Sequence, residues 1–510
     1  MFLSRAQITR LLPPRAVQSL KVVRSIFAKC VSAYQRIAFP IKFLFYETAV
    51  SAFPKSRWGY ERMLSLIFRH RSDDLINRSR LFLSYFQRYQ AFHPECVLKW
   101  RVRACTSHLM LQDTDNLQRV MQDYAVAQGR LIKQKHLDAL ELRIINEDIF
   151  RYYNAHAYLD THVKAMLLGW LPKYRMIQLI RPGDPVLNPV MLDYWKQYIT
   201  VFDDEEAIQQ ISTLRKYLEA DVCLAATLKG KAVYIEHAKG IVQKEWERQN
   251  RKPLFQLNAD DQEFGREQLE KVGIPRDAWF VSLHVRDAGY KTGSYLANDA
   301  YDSYRNADIA SYKLAAQEVV RRGGYVIRVG DSQMKPSFEM EGYFDYALSD
   351  IRSNRMDIFL FSQCRFFVGV SSGPVLTPVL FGVPVVMTNF VPMSGRPHAG
   401  NCLYIPKMLR LRGERRYATL CEVLSSDLGR IFTSHGYEEK NIDLIDNSPE
   451  EIRDVVVEML DRLDGGTIYA DEDERYQRSI SELYQKYSGY GDMGRMGRSF
   501  VRNCVNQGLV

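Results

Sequence analysis

The sequence lacks several patterns that would assign it to a common class of protein. No run of 18 or more uncharged apolar residues occurs, so we expect no helix that spans a membrane. The eight cysteines are scattered without a Cys-x-x-Cys pair or a zinc-ligand spacing, which is typical of a reducing compartment. The chain also has no Gly-x-x-x-x-Gly-Lys-Ser/Thr loop and no Gly-x-Gly-x-x-Gly after a strand. These absences argue against a P-loop NTPase and against a dinucleotide-dependent dehydrogenase.

The composition is that of a globular protein with a modest basic excess. The chain has 510 residues, of which 46% are apolar, and this length is typical of two or three domains. Its net charge of +9 favours an anionic partner, such as a phosphate ligand, a nucleic acid or a lipid headgroup. No recognition motif for nucleic acid accompanies the basic residues, so we do not expect nucleic acid to be the partner.

Residues 1–46 contain eight Arg and Lys residues and no Asp or Glu. Apolar residues such as Leu20, Val23 and Phe27 are interleaved with them. A cationic helix with an apolar face lies well in the headgroup region of an anionic bilayer, but such a helix also packs on the body of a protein, and both alternatives stay open. Because the segment has no clean signal-peptide pattern, we expect a cytoplasmic protein, either free or peripheral on the inner face of the cell membrane.

The character of the chain changes several times and predicts five regions. A basic amphipathic segment (1–50) precedes a helical region (51–171), in which apolar residues recur at helical spacing. Strands alternate with helices over 172–275, which predicts a small α/β domain, and more regularly over 276–445, which predicts a parallel, doubly wound sheet of Rossmann-like type. C-terminal helices are predicted within 446–510.

Two C-terminal stretches show weaker patterns. We expect Lys407 to Arg416 to form a solvated loop, because it is rich in Arg and Lys. We expect the tail from Gly489 to be loosely ordered, because it is rich in Gly, Arg and Asn. Helices are predicted between them over Pro449–Leu463 and Asp471–Tyr487.

Three predicted strands of the second Rossmann-like domain end in polar or charged residues. They are Phe280–Val285, Tyr325–Val329 and Phe366–Val370. The carboxyl ends of parallel strands share one edge of a sheet, and open α/β sheets bind their ligands there. The residues that we expect to meet at this edge are His284, Arg286, Asp287, Gly330, Asp331, Ser332, Ser371, Ser372 and Gly373.

These residue types suit a nucleotide and its phosphates. The planar guanidinium of Arg286 can hold a diphosphate. The serines of the Ser371–Pro374 turn offer hydroxyl donors, and a predicted helix over Val375–Phe381 adds backbone N–H groups. Asp331 can accept hydrogen bonds from ribose or sugar hydroxyls. Simpler alternatives stay open: strand-end charges can be merely solvated, a Ser-Ser-Gly-Pro turn is usually a cap, and His284 can be a buried histidine with satisfied hydrogen bonds.

Four segments of the second domain resemble a known family. Trp279–Asp287, Tyr304–Asn306, Gly330–Asp331 and Gly369–Gly373 resemble bacterial glycosyltransferases linked to surface-polysaccharide synthesis. The His-x-Arg element is more distantly similar to that of fucosyltransferase-like enzymes of GT-B fold. The resemblance implies an α/β protein with a GT-B-like pair of Rossmann-like domains, preceded by an all-helical N-terminal region. It places the acceptor on the first domain, 172–275, and the sugar nucleotide mainly on the second, 276–445.

The resemblance also implies roles for single residues. It assigns the diphosphate to Arg286. The substrate-binding residues that it implies are Asn306, Gly330, Asp331, Ser332, Ser371, Ser372 and Gly373. The sequence departs from the eukaryotic fucosyltransferase pattern by placing Asp287 directly after Arg286, which leaves the donor base and sugar open.

The sequence therefore predicts a glycosyltransferase that moves a hexosyl or fucosyl-like group from a nucleoside-diphosphate sugar to a hydroxyl of a glycan, lipid-linked or protein acceptor. We expect no metal and no cofactor besides the donor, because Arg286 and helix N–H groups can stabilise the leaving diphosphate. His284 and Asp287 are candidates for the general base or for holding Arg286 in place, and Asp184 of the first domain is another candidate base. The alternative is a non-catalytic protein that binds a sugar nucleotide or a partner and docks through its helical region.

Overall fold

The fold is taken from a computed structural model, and its two compact units are residues 1–131 and 132–510. The structure describes residues 42–43, 45–47, 49–51, 57–69, 75–92, 101, 103–105, 107–108, 113–145, 147–151, 153–220, 222, 225–287, 302–487 and 494–510. The prediction for the basic segment 1–46 falls almost wholly outside these residues, and so does the loop 288–301.

The described part of the first unit is helical. Its longer helices are Arg57–Arg69, Leu75–Phe92 and the greater part of Thr114–Gln134. Met63 and Ile67 of the first helix and Phe82 and Phe86 of the second are buried in one core, as their helical spacing predicts. The predicted helical N-terminal region is thus confirmed. Across all described residues, no helix combines the length and the apolar content that crossing a bilayer requires.

The second unit is built on parallel strands. Its strands are β1 (Leu142–Ile145), β2 (Arg175–Leu179), β3 (Ile199–Phe202), β4 (Glu219–Ala220), β5 (Ala225–Leu228), β6 (Lys231–Tyr234), β7 (Phe280–His284), β8 (Tyr325–Arg328), β9 (Tyr343–Phe344), β10 (Phe367–Gly369), β11 (Val385–Phe390), β12 (Leu403–Pro406), β13 (Met408–Leu411), β14 (Arg416–Tyr417), β15 (Ile442–Ile445) and β16 (Arg495–Met496).

The first sheet has the strand order β3-β2-β1-β4, and all its pairs are parallel. In chain order this is 3-2-1-4, the first part of a Rossmann pattern. β1 lies in the stretch 51–171, where we expect helices, and for these four residues that prediction is wrong. The run Leu142-Arg-Ile-Ile is too short to show a strand period, yet Ile144 and Ile145 are buried. The domain boundaries predicted from the sequence stay predictions.

The second sheet is larger and has the order β16-β12-β11-β10-β7-β8-β9, again with parallel pairs throughout. Its first six strands in chain order follow the sequence 3-2-1-4-5-6, which is the full Rossmann order. The five residues of β7 are all buried, at the centre of the sheet. The predicted fold class, an α/β protein with a GT-B-like pair of Rossmann-like sheets after a helical region, is therefore confirmed.

Helices connect and cover these strands. They are Tyr153–Leu167, Pro189–Trp195, Glu205–Ser212, Arg215–Leu218, Ile235–Arg248, Ala259–Lys271, Lys313–Arg321, Asn354–Gln363, Leu376–Leu380, Leu420–Ser425, Ser434–Glu439, Pro449–Leu463, Asp471–Tyr487 and Arg498–Asn506. The two helices predicted near the C-terminus have the predicted bounds. A capping box between Ser448 and Glu451 explains why the first of them begins where it does.

The two C-terminal predictions are wrong in part. The stretch 407–416 is not a solvated loop throughout, because Lys407 is buried and β13 pairs antiparallel with β14 and β15, whereas residues 412–415 form an exposed turn. The described part of the tail is ordered by its apolar residues: β16 extends the second sheet beside β12, and the helix Arg498–Asn506 buries Phe500, Val501 and Cys504. Their spacing of one to four residues is that of a helix face, which the overall polarity of the tail conceals.

Candidate functional site

A cavity of about 570 Å³ lies at the carboxyl edge of the second sheet. It is bordered by the ends of β7 and β10, which are neighbours in the sheet. From β7 the chain continues to β8 on one side, and from β10 it continues to β11 on the other side. Such a switch point is where doubly wound sheets bind ligands. Arg151 and Leu187 reach the cavity from the side of the first sheet. The predicted site residues that line it are His284, Arg286, Gly330, Asp331, Ser371, Ser372 and Gly373.

Arg286 is buried, with 6% of its surface exposed, and several contacts fix its guanidinium. Its Nη1 donates to the backbone oxygen of Asp302 at 3.1 Å and to Oδ1 of Asn306. The backbone oxygen of Asn306 in turn accepts from Nζ of Lys407 at 2.7 Å, and that ammonium also lies 2.7 Å from a carboxylate oxygen of Asp446. Asn306 is not among the residues that line the cavity. The structure thus gives it a positioning contact with Arg286.

His284 is held between two hydrogen-bond partners. Its Nδ1 lies 3.1 Å from the backbone oxygen of Val329, and its Nε2 lies 3.1 Å from Oγ of Ser372. A carbonyl oxygen only accepts, so Nδ1 carries the proton and Nε2 accepts from the serine hydroxyl. Burial, reinforced by the charges of Arg328 and Arg286, lowers the pKa of His284 to about 4, so the ring is neutral at pH 7.

The serine turn differs from the prediction in one respect. We expect a helix over Val375–Phe381, but the chain makes a 3₁₀ turn, Gly373–Val375, followed by a helix of only five residues, Leu376–Leu380. The prediction of a helix N-terminus that holds an anion is therefore weakened, because so few aligned peptide dipoles give a small field. The hydroxyls remain in place: Oγ of Ser371 accepts from the backbone N of Val391 at 3.0 Å.

The loop after β8 contributes one carboxylate and open space to the cavity. Oδ1 of Asp331 accepts from the backbone N of Gln333 at 2.9 Å, which closes a tight turn. A Cβ atom at Gly330 would lie 2.2 Å from Sδ of Met334, so a larger residue there would force the methionine side chain to move. Ser332 is not among the residues that line the cavity.

Asp287 also lies away from the cavity lining. Its Oδ2 accepts from the backbone N of Lys335 at 2.9 Å and lies 3.9 Å from Nη2 of Arg328. Arg328 is 1% exposed and also donates to Asp345 at 2.8 Å. Asp287 therefore ties the loops after β7 and β8 together, and this geometry favours a structural role over that of a general base.

Asp357 is a residue of the cavity that the sequence alone did not single out. This carboxylate lines the cavity from the first turn of the helix Asn354–Gln363 and accepts from Oη of Tyr346 at 2.7 Å. Burial raises the pKa of Asp357 to about 6. The cap at Ser353 and the acidic first turn are visible in the sequence, but nothing in the sequence shows that this turn faces the ligand edge.

Three further side chains of the lining were also overlooked. Arg352 donates from Nε to the backbone oxygen of Gly330 at 3.2 Å, and Arg305 pairs with Asp302 at 2.7 Å. Phe432 borders the cavity with half of its surface exposed. Among the described residues, no group of three or more His, Cys, Asp or Glu side chains is arranged to hold a metal ion.

No protein-family model matches the chain, and no curated protein matches it by sequence. Among solved structures, it is similar to the ADP-heptose lipopolysaccharide heptosyltransferase II of Escherichia coli, with 10% identity and a TM-score of 0.36 over 63% of this chain and 98% of that one. A glycosyl transferase family 9 protein of Veillonella parvula has 9% identity and a TM-score of 0.29 over 48% of this chain and 79% of that one.

A third solved structure is the iron-containing dodecameric glycosyltransferase TibC of enterotoxigenic E. coli. It has 13% identity and a TM-score of 0.27 over 52% of this chain and 61% of its own. Each of the three structures is described as a glycosyltransferase, and none as a fucosyltransferase. At such TM-scores the likeness carries no argument, so the fold class rests on the strand orders and the site on its own geometry.

Proposed function

We propose that the chain is a glycosyltransferase that moves a sugar from a nucleoside-diphosphate donor to a hydroxyl acceptor in the synthesis of a surface glycan or glycoconjugate. One observation carries the proposal. A buried arginine, Arg286, and the hydroxyl of Ser371 meet the carboxylates of Asp331 and Asp357 in one cavity at the switch point of a Rossmann-order sheet. A cation and a hydroxyl suit a diphosphate, and carboxylates suit sugar hydroxyls.

The difficult step of this reaction is the departure of the diphosphate. The acceptor oxygen forms a bond to the anomeric carbon, and the bond from that carbon to the diphosphate breaks with its electron pair going to the diphosphate. Arg286, fixed in advance by Asp302 and Asn306, would stabilise the growing negative charge without having to reorganise. We therefore propose transfer without a divalent metal, and activity should persist in excess EDTA.

The acceptor hydroxyl must also lose its proton. His284 is a poor candidate because Ser372 occupies its only lone pair, and Asp287 is not on the cavity. Asp184, the candidate from the first domain, is absent from the lining too. We propose Asp357 as the base, because it lines the cavity and its pKa of about 6 lies near neutral pH, where proton transfer is efficient.

The acceptor would approach from the side of the first sheet, where Arg151 and Leu187 reach the cavity. A glycan, a lipid-linked sugar and a protein all remain acceptor classes. We propose that residues 1–46 bring the enzyme to an anionic membrane on its cytoplasmic face. Co-sedimentation with anionic vesicles should fall when 1–46 is deleted, and equal binding of the shortened chain would reject the membrane contact.

The decisive experiment compares Arg286→Ala with the wild type in titrations with UDP, GDP, ADP, dTDP and CDP. Loss of a buried charge-assisted contact should lower the affinity for the nucleotide on the order of 100-fold and abolish transfer. Arg286→Lys should have an affinity between those of the wild type and Arg286→Ala. Arg276→Ala is the control, since Arg276 is exposed and pairs with Glu263 and Glu270 off the cavity. Near-normal affinity in Arg286→Ala would reject the proposal, while binding without hydrolysis or transfer would favour a non-catalytic binding protein.

A further inference from the structure

Two adjacent serines, Ser371 and Ser372, line the cavity, and the structure gives them opposite hydrogen-bonding character. A serine hydroxyl has one proton to donate and two lone pairs that accept. What each serine offers to a ligand therefore depends on which of these its protein neighbours already use.

The proton of Ser372 is used inside the protein. Nδ1 of His284 faces the backbone oxygen of Val329 at 3.1 Å, and two acceptors cannot face each other at that distance, so Nδ1 is protonated. The opposite nitrogen, Nε2, is then an acceptor, and the hydroxyl 3.1 Å away from it is the donor. Ser372 is left with lone pairs only.

The proton of Ser371 is not used in this way. Its oxygen accepts from the backbone N of Val391 at 3.0 Å, so one lone pair is occupied. Within the described part of the chain, no acceptor for the Ser371 hydroxyl proton is seen. Ser371 can therefore donate to a ligand, whereas Ser372 can only accept.

We propose that Ser371 donates to a phosphate oxygen of the ligand, while Ser372 accepts from a hydroxyl or N–H group of its ribose, sugar or base. His284 is then a positioning residue that sets the polarity of Ser372. This inference rests on the proposed function for the identity of the ligand. The sequence alone presents both serines as donors, whereas here one is a donor and the other an acceptor.

The charges around the cavity agree with this division. Arg286, on the chain segment that follows β7, supplies positive charge for a diphosphate. Asp331 and Asp357 add carboxylates, which accept hydrogen bonds and repel phosphate. Together with Ser372 they form a set of acceptors that suits a hydroxyl-rich group, and an anionic group at Ser372 would face only lone pairs.

Titration calorimetry tests the division with two kinds of probe: inorganic pyrophosphate, and the ribonucleoside diphosphate that binds the wild type best, with its 2′-deoxy and sugar-linked forms. Ser371→Ala should lower the affinity for every probe about tenfold or more, as loss of a hydrogen bond to a charged group does. Ser372→Ala should change the affinity for pyrophosphate less than twofold but lower the affinity for at least one hydroxyl-bearing probe about threefold to tenfold. Ser425→Ala is the control, because Ser425 is exposed at the end of the helix Leu420–Ser425 and does not line the cavity.

The probes also locate the donor group. If Ser372→Ala weakens the binding of the ribonucleotide but not of its 2′-deoxy form, the ribose hydroxyl is the group that donates to Ser372. If only the sugar-linked form loses affinity, the donor group belongs to the transferred sugar. Equal weakening of pyrophosphate by both serine variants would overturn the inference. If the wild type binds none of the probes, the proposed function fails.

Nitrogen NMR of the His284 ring tests the polarity of Ser372 without any ligand, with the resonance assigned by its loss in His284→Gln. At pH 7 only Nδ1 should carry a proton, and in Ser372→Ala the Nε2 signal should move downfield because it loses its donor. A merely structural histidine would show no such response. A proton on Nε2 in the wild type would overturn the inference whatever the titrations show.

Discussion

The two parallel sheets share a strand order but not a chemistry. Both begin with the order 3-2-1-4, so both present a switch point between the first and fourth strands. Of the described residues that line the cavity, all but Arg151 and Leu187 belong to the second sheet or to the segments that follow its first strand. The topology provides a place for a site, and the residues at the strand ends decide whether that place is used.

The strand ends show the physical difference. β8 ends in Arg328, which is 1% exposed and donates to Asp345 and to the backbone oxygen of Lys335, both at 2.8 Å. The strand at the same place in the first sheet, β2, ends in the buried apolar residue Leu179. We infer that buried charge fixes the loops at the ligand edge of the second sheet, while the first sheet depends on packing.

Arg328→Ala should give the largest effect on stability. It leaves Asp345, whose side chain is 21% exposed, and the Lys335 carbonyl without the donor that the buried guanidinium supplies, and removal of one partner of a buried ion pair costs up to about 3–5 kcal/mol. Urea denaturation measures the loss, with Arg276→Ala as an exposed control. A loss below 1 kcal/mol would break the comparison, because buried charge would then not fix these loops.

Lys407→Met should weaken nucleotide binding about tenfold with little change in global stability. The substitution removes the donor to the Asn306 carbonyl and so loosens the contact that orients Arg286. Asp446, the ion-pair partner, is 43% exposed, so water can replace the lost ammonium. Calorimetric affinity and urea midpoints together test this. Unchanged affinity would show that Arg286 is held without Lys407.

Asp357→Asn should act in a pH-dependent way. The pKa of this carboxyl is raised from 3.8 to about 6 on folding, so the folded protein holds its proton more tightly and loses stability as the pH rises between these values. The amide should therefore stabilise the fold by roughly 1–3 kcal/mol at pH 8 and by nearly nothing at pH 4. The exposed Asp277 gives the control Asp277→Asn. Equal stability changes at both pH values would contradict the burial argument.

The same variant also tests the proposed base. Transfer by the wild type should rise with pH through an apparent pKa of about 6, and Asp357→Asn should lower the rate about 100-fold or more and remove that rise. A pH profile that survives the substitution would assign the base elsewhere.

Arg151→Ala should have the smallest effect on the affinity for the donor, and it tests whether the first sheet helps to hold the nucleotide. The ion pair of Arg151 with Asp184 spans 3.9 Å, and the Arg151 side chain is 36% exposed. We expect donor affinity to change less than twofold, about 0.4 kcal/mol, while the KM for the acceptor rises severalfold. A tenfold loss of donor affinity would show that the first sheet takes part in holding the nucleotide.

Much of the second sheet is predictable from the sequence because its strands are continuous apolar runs between clear turns. β7, β8, β10 and β11 fall where these runs lie, and the parallel order then brings their ends together. β1 and β16 lack such a run. An arginine interrupts the apolar residues of Leu142-Arg-Ile-Ile, and β16 consists of only two residues, Arg495 and Met496.

The site shows the same limit at the level of single residues. Successive side chains of an extended chain point to opposite sides, so His284 and Arg286 lie on one side and Asp287 on the other. The sequence spacing alone therefore indicates that Asp287 points away from the cavity, as the structure has it. The position of Asp357 was not available, because it depends on how a helix from a later connection packs against the edge of the sheet. Nor could the sequence distinguish Ser371 from Ser372, whose difference comes from Val329 and Val391.

The late arrival of β16 has a consequence for biosynthesis. Leu403 of β12 pairs with Arg495 of β16, which the ribosome adds 92 residues later. At ordinary translation rates this leaves one flank of β12 uncovered for roughly 5–20 s. An uncovered flank of this kind recruits foreign strands, so the growing polypeptide is exposed to aggregation during this interval, and a chaperone that covers β12 would protect it.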